Sequence, residues 1–118
     1  MPKWTSWRKI ADKDCWYSDF FDWSGPACYE LSIAGSRGGN RQIVYVGETI
    51  NEKKRISAYA SNGSHISHYI DYYLKNGQHL YYRAQSKVSK QAAVATQNNL
   101  LARFDYSWNT KRNKGVLC

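Results

Sequence analysis

Of 118 residues, only two are proline, one is methionine and three are cysteine, and Cys15, Cys28 and Cys118 share no metal-like spacing. An odd count with one cysteine at the C-terminus is a poor disulfide framework, and a reducing, intracellular setting fits best. No secretory apolar segment opens the chain and no apolar run approaches membrane-spanning length, so a soluble, cytoplasmic protein is expected. No glycine-rich loop opens a helix either: Gly35-Ser36-Arg37-Gly38-Gly39 links two strands, which argues against a nucleotide-phosphate cradle. The serines lack the His and Asp arrangement of a hydrolase nucleophile. Acid is scarce as well, with nine Asp and Glu against 17 Lys and Arg, and none between Asp71 and Asp105. The net charge of +8 raises the local concentration of any polyanion, which makes nucleic acid the leading partner class.

What the chain has in quantity is aromatic and β-branched residues. Residues 1–26 hold Trp4, Trp7, Trp16, Trp23, Phe20 and Phe21 without a clear period, and read as an arm pinned by its aromatics to one domain covering 27–118. From Cys28 to Ala34, Tyr29, Leu31 and Ile33 alternate with Cys28, Glu30 and Ser32, the signature of a strand with one apolar face. A loop over 35–40 follows, with Arg37 at its tip, and Gln42 to Val46 forms a second, antiparallel strand. Gly47 makes the tight turn into a helix over Ile50 to Ala60, opened by Thr49 as N-cap with Glu52 three residues on. A second helix carries Ile66, Tyr69, Ile70, Tyr73 and Leu74 and closes at Asn76-Gly77. Leu80, Tyr82 and Ala84 mark a third strand. A last helix over Val88 to Phe104 sets Ala93, Val94, Leu100, Leu101 and Phe104 toward one side, interrupted by Gln97.

The chemistry gathers around the second strand and the helix after it. The turn at Gly47 lets the phenol of Tyr45 and the guanidinium of Arg55 reach one cleft, a pairing that suits a phosphodiester. Arg55 offers a planar fork to two phosphate oxygens, whereas Lys53 and Lys54 act as point charges. Tyr29 and Tyr45 are candidates to deprotonate water, provided that nearby cations depress phenols whose ordinary pKa is about 10. His65 and His68 stand three apart but have no third ligand in sequence, so helix-start polar residues or phosphate contacts are better readings than zinc. Glu48 reads as an exposed turn acid or a substitute metal ligand. Arg41, Arg83, Lys87 and Lys90 are further candidates to flank a nucleic-acid path.

In this order the motifs resemble those of GIY-YIG nucleases. Ala27-Cys28-Tyr29 stands where that family has GIY, and Tyr45-Val46-Gly47 where it has YIG. Arg55, ten residues beyond Tyr45, matches the helix-borne arginine, and Tyr59 falls where members carry His or Tyr. Gln97 and, twelve residues later, Asn109 resemble the paired glutamate and asparagine. The resemblance implies a small three-stranded antiparallel sheet flanked by helices in the order ββααβα. It also implies hydrolysis of DNA with one Mg²⁺ or Mn²⁺, Tyr29 and Tyr45 lining the site, Arg55 stabilising the phosphoryl transition state and the Gln97 position holding the metal. A neutral glutamine offers a hard cation one weak carbonyl ligand, so metal binding and cleavage are expected to be impaired. The alternative is a catalytically silent DNA-binding module on the same fold. Either could act as a monomer or homodimer, a palindrome cutter needing two copies.

Overall fold

The computed structural model describes residues 4–16, 25–35, 39–60 and 66–109. Its centre is β2 (Ala27–Ala34), flanked on one side by β3 (Gln42–Thr49) and on the other by β4 (His79–Ser86). A fourth strand, β1 (Arg8–Ala11), pairs with the outer edge of β4, so the antiparallel order is β1-β4-β2-β3. The sequence foretells three of these strands. Arg8-Lys9-Ile10-Ala11 carries no period-two pattern, and it is the open edge of β4 that makes it a strand.

All eight residues of β2 are buried, the polar ones included. Tyr29, Leu31 and Ile33 pack on one face against Ile56 and Tyr59 of α1 (Glu52–Ala60) and Ile70 and Leu74 of α2 (Ser67–Lys75). The opposite face is covered too: Cys28 and Val46 meet Tyr106, with Trp4, Leu100 and Leu101 packed alongside. Alternation in the sequence therefore separates two buried faces here, not core from solvent. The polar face is satisfied internally, since Glu30 accepts from Arg83 and Tyr106 and Ser32 accepts from Arg41.

Local chemistry explains the element ends. Lys54 N–H bonds to Asn51 Oδ1, so Asn51 caps α1, while Thr49 Oγ1 accepts from Asn51 N–H one turn earlier. The cap lies two residues past the Thr49 that the spacing suggests. Helix α2 stops at Gly77, whose φ of 84° is open to glycine. There Gly77 N–H bonds to Leu74 O and Gln78 N–H to Tyr73 O, closing the carbonyls of the last turn. Helix α3 (Lys90–Arg103) is capped by Ser89, which accepts from Ala92 N–H. It packs against β3 and β2. Of its apolar stripe only Ala93 is fully buried and Phe104 just beyond it stays exposed, because a helix lying toward the edge of a sheet has less to cover it. After α3 the chain makes a 3₁₀ turn, Ser107–Asn109, whose Trp108 stacks on Tyr69 at 5.4 Å between ring centroids. No helix among the described residues is long and apolar enough to cross a membrane.

Candidate active site

Three phenols meet on the α1 side of the sheet. Tyr29 rises from the central strand, and Tyr59 comes down from α1 to put its hydroxyl 2.6 Å from that of Tyr29. Tyr45, on β3, sets its ring 6.2 Å from Tyr29. Exposure climbs along the row, from 1% at Tyr29 and 2% at Tyr59 to 9% at Tyr45, so Tyr45 is its solvent end.

Gly47 makes the row possible, though not by turning the chain. It lies inside β3, opposite Tyr29, and a Cβ built on it would sit 2.5 Å from the Tyr29 hydroxyl. The glycine is required for room. The same strand carries an irregularity opposite Leu31 and Ser32, where Tyr45 and Ile43 are the successive partners and Val44 is the extra residue. Val44 and the adjacent Tyr45 consequently both join the core on the α1 side.

Arg55 lies one turn before Tyr59 on α1, exposed, and lines an open cleft of about 380 Å³ with Thr49, Ile50, Asn51, Lys54 and Ala58. Lys53 and Lys54 are exposed beside it. The charge of Arg55 draws the pKa of Tyr29 and of Tyr59 downward, but burial dominates and holds both well above the ordinary phenol value. For Tyr29 the sequence suggests depression by nearby cations; desolvation outweighs them. Tyr59 is further raised by Tyr45, which ties the three into one electrostatic unit.

Asn109 joins this region from behind. Its Oδ1 accepts from Val46 N–H at 2.9 Å and its Nδ2 donates to Val46 O at 3.1 Å, so the amide occupies the open edge of β3 between Tyr45 and Gly47. It positions the strand and leaves the phenols to one another. Gln97 is half-buried on α3, and no group of three His, Cys, Asp or Glu side chains able to hold a metal occurs among the described residues.

The remaining basic residues divide. Arg83 and Arg41 belong to the opposite face, in a ladder in which Arg83 lies over Trp4 and Trp7 and Arg41 over Trp7 and Tyr81, at 4.4–4.8 Å from the ring centroids. Both guanidiniums have internal partners, Glu30 for Arg83 and Ser32 for Arg41. Lys87 is half-buried, and its charge lowers the pKa of Cys28 against burial and Glu30, which raise it. Lys90 is exposed on the first turn of α3, and His68 is exposed against the ring of Tyr69. Arg37 and His65 lie outside the described residues. Glu48, read as an exposed turn acid, is a half-buried strand residue with Oε1 buried and unpartnered among the described residues. Its position beside Gly47 was visible in the sequence; its burial was not, because the strand runs three residues past Val46.

No solved structure matches the chain significantly. Over 71 residues it is 35% identical to protein EFFECTOR OF TRANSCRIPTION 3 of Arabidopsis thaliana, a stretch that covers 59% of this chain and 26% of that protein. The chain thus spans about a quarter of that relative's length. The family described as GIY-YIG domain-containing protein matches residues 15–116, which takes in the tyrosine row, Arg55, Gln97 and Asn109. This chain belongs to the GIY-YIG domain family.

Proposed function

We propose that the tyrosine row and the Arg55 cleft hydrolyse phosphodiester bonds of DNA, in a form weakened because Gln97 stands where a metal-binding carboxylate is needed. The observation that carries this reading is the 2.6 Å Tyr29–Tyr59 contact beside a glycine that no other residue could replace without displacing Tyr29. Arg55 would grip a phosphate oxygen and offset the charge that develops on it, with Lys53 and Lys54 holding the strand to either side. Tyr45, the least buried phenol, would orient the attacking water and, as its phenolate, take its proton, while Tyr59 and Tyr29 remain protonated. A divalent cation, Mg²⁺ or Mn²⁺, would supply Lewis-acid polarisation of the phosphoryl oxygen. The neutral Gln97 amide makes it a weak guest; the orphaned Glu48 oxygen is a fitting donor for a hard cation, but it lies on the face of β3 opposite the phenols.

A second reading, a DNA-binding module that does not cut, is favoured by the missing charge at Gln97 and by the transcription effector named among the relatives. Plasmid nicking with Mg²⁺ or Mn²⁺ separates the two. On the first reading Gln97→Glu cuts at least about a hundredfold faster than the parent chain, the range over which a lost transition-state contact is felt. Salt-sensitive binding without cutting by Gln97→Glu would select the silent module.

A further inference from the structure

Glu48 follows Gly47 on β3, and strand alternation sends its side chain to the face opposite the tyrosine row. On that face Glu48 pairs with Cys28 and Cys28 with Gln85, so the three form one row across the sheet. Two oxygens in the row, Glu48 Oε1 and Gln85 Oε1, are buried and have no hydrogen-bond partner among the described residues. Gln85 as a whole is 7% exposed. Both atoms are acceptors, so what the row lacks is a donor or a cation.

Helix α3 passes over this row. It starts soon after Lys87, whose N–H bonds to Pro26 O at the Ala27–Ser86 end of the sheet, and it finishes where Phe104 shares a cleft with Ile43 and Glu30. It therefore runs against the direction of β3. Leu100 and Leu101 pack against the cluster of Cys28, Val46 and Tyr106. Gln97, half-buried, lies one turn nearer the helix start on the same stripe.

We infer that Glu48 supplies the carboxylate for a hard divalent cation at the Gln97 position, with the amide oxygens of Gln85 and Gln97 as neutral ligands. Hard cations take oxygen donors and need at least one charged one, which Glu48 alone provides in this row. Cys28, between the two, is kept as a thiol by burial, which pushes its pKa up to about 12. The use of such an ion in cleavage rests on the proposed nuclease reading; its binding does not.

The test is Mn²⁺ binding to the full chain, read by electron paramagnetic resonance of the free ion, with the urea midpoint as a check on folding. The parent chain should bind one Mn²⁺, and Glu48→Gln should weaken it at least about tenfold. Gln97→Glu should tighten binding, and the exchange Glu48→Gln with Gln97→Glu should bring it back toward the parent value. Unchanged affinity in folded Glu48→Gln overturns the inference. So does a parent chain that ignores Mn²⁺ while Gln97→Glu binds it, since Glu48 would then contribute nothing. A chain that binds Mn²⁺ through Glu48 but cuts no DNA, even as Gln97→Glu, keeps the inference and loses the nuclease reading. Cutting by Gln97→Glu with metal affinity indifferent to Glu48 does the reverse.

Discussion

Gly47 and Tyr29 face each other across the β2–β3 ladder, and the hydrogen of the glycine is all that fits beneath the phenol: a Cβ there would lie 2.5 Å from Oη and 2.6 Å from Cζ. Tyr29 cannot retreat, because it is fully buried and its hydroxyl is held by Tyr59. Gly47→Ala should cost about 1–3 kcal/mol of stability through overpacking, measured by urea denaturation. Tyr29→Leu removes the atoms in conflict, so Gly47→Ala should cost much less in that background, a coupling that a double-mutant cycle reports. Equal cost in both backgrounds would mean that the glycine serves the strand and not the phenol.

The alkaline limb of stability follows from groups that keep their protons in the folded chain. Burial, first among the causes, lifts Cys28 from 9.0 to about 12 and Tyr82 from 10.0 to about 12, and it raises Tyr29 and Tyr59 as well. In the unfolded chain each ionises at its ordinary value, so above that pH the folded state binds more protons and stability falls as pH rises. The contribution is whole at neutral pH, begins to go near pH 9.0 with Cys28, and is lost faster above pH 10.0 when the phenols of the unfolded chain ionise. Urea midpoints should be flat through neutral pH and fall on this schedule. Cys28→Ala should move the onset from near 9 to near 10, and an onset that stays put would assign the first loss elsewhere.

The elements legible in the sequence are those whose own side chains specify them. Alternation sets β2, the Asn76-Gly77 pair ends α2, and Ile70 and Leu74 fall where the spacing puts them. Strand β1 escapes notice because pairing with β4 creates it, and the helix cap moves to Asn51 because Thr49 is still strand. The row of phenols was legible through family spacing of Tyr29, Tyr45 and Tyr59. Its electrostatics were not, since proximity of Arg55 can be read from a sequence but the depth of burial that outweighs it cannot. Arg83 and Arg41 were legible only as charge; their partners come from Trp4, Trp7 and Glu30, distant in the chain.

That difference can be measured. Arg83 Nη2 lies 2.7 Å from Glu30 Oε1, and Tyr106 donates to Oε2 of the same buried carboxylate. Arg83→Ala strands Glu30 and should cost about 3–5 kcal/mol, whereas replacing both Arg83 and Glu30 by Met should recover most of it. The double variant should bind DNA with the parent's salt dependence. Lys53→Ala or Lys54→Ala, exposed beside Arg55, should leave stability alone and flatten the slope of log K against log salt by about one each. A flattened slope in the Met pair would return Arg83 to the DNA path.

Asn109 does for Val46 what a fifth strand would do, accepting from its N–H and donating to its C=O at the bare edge of β3. Because Val46 lies between Tyr45 and Gly47, the amide fixes the strand from which the exposed phenol projects. Asn109→Ala leaves a buried N–H and a buried C=O without partners and should cost about 1–3 kcal/mol, with faster hydrogen exchange at the Val46 amide. Asn109→Asp keeps the acceptor for the N–H but sets a carboxylate oxygen against the Val46 carbonyl, so it should cost more than alanine at neutral pH. Lowering the pH should narrow that gap, because the protonated acid regains a donor. If Asp is instead milder than Ala at neutral pH, the donated bond to Val46 O contributes little and the N–H alone holds the edge.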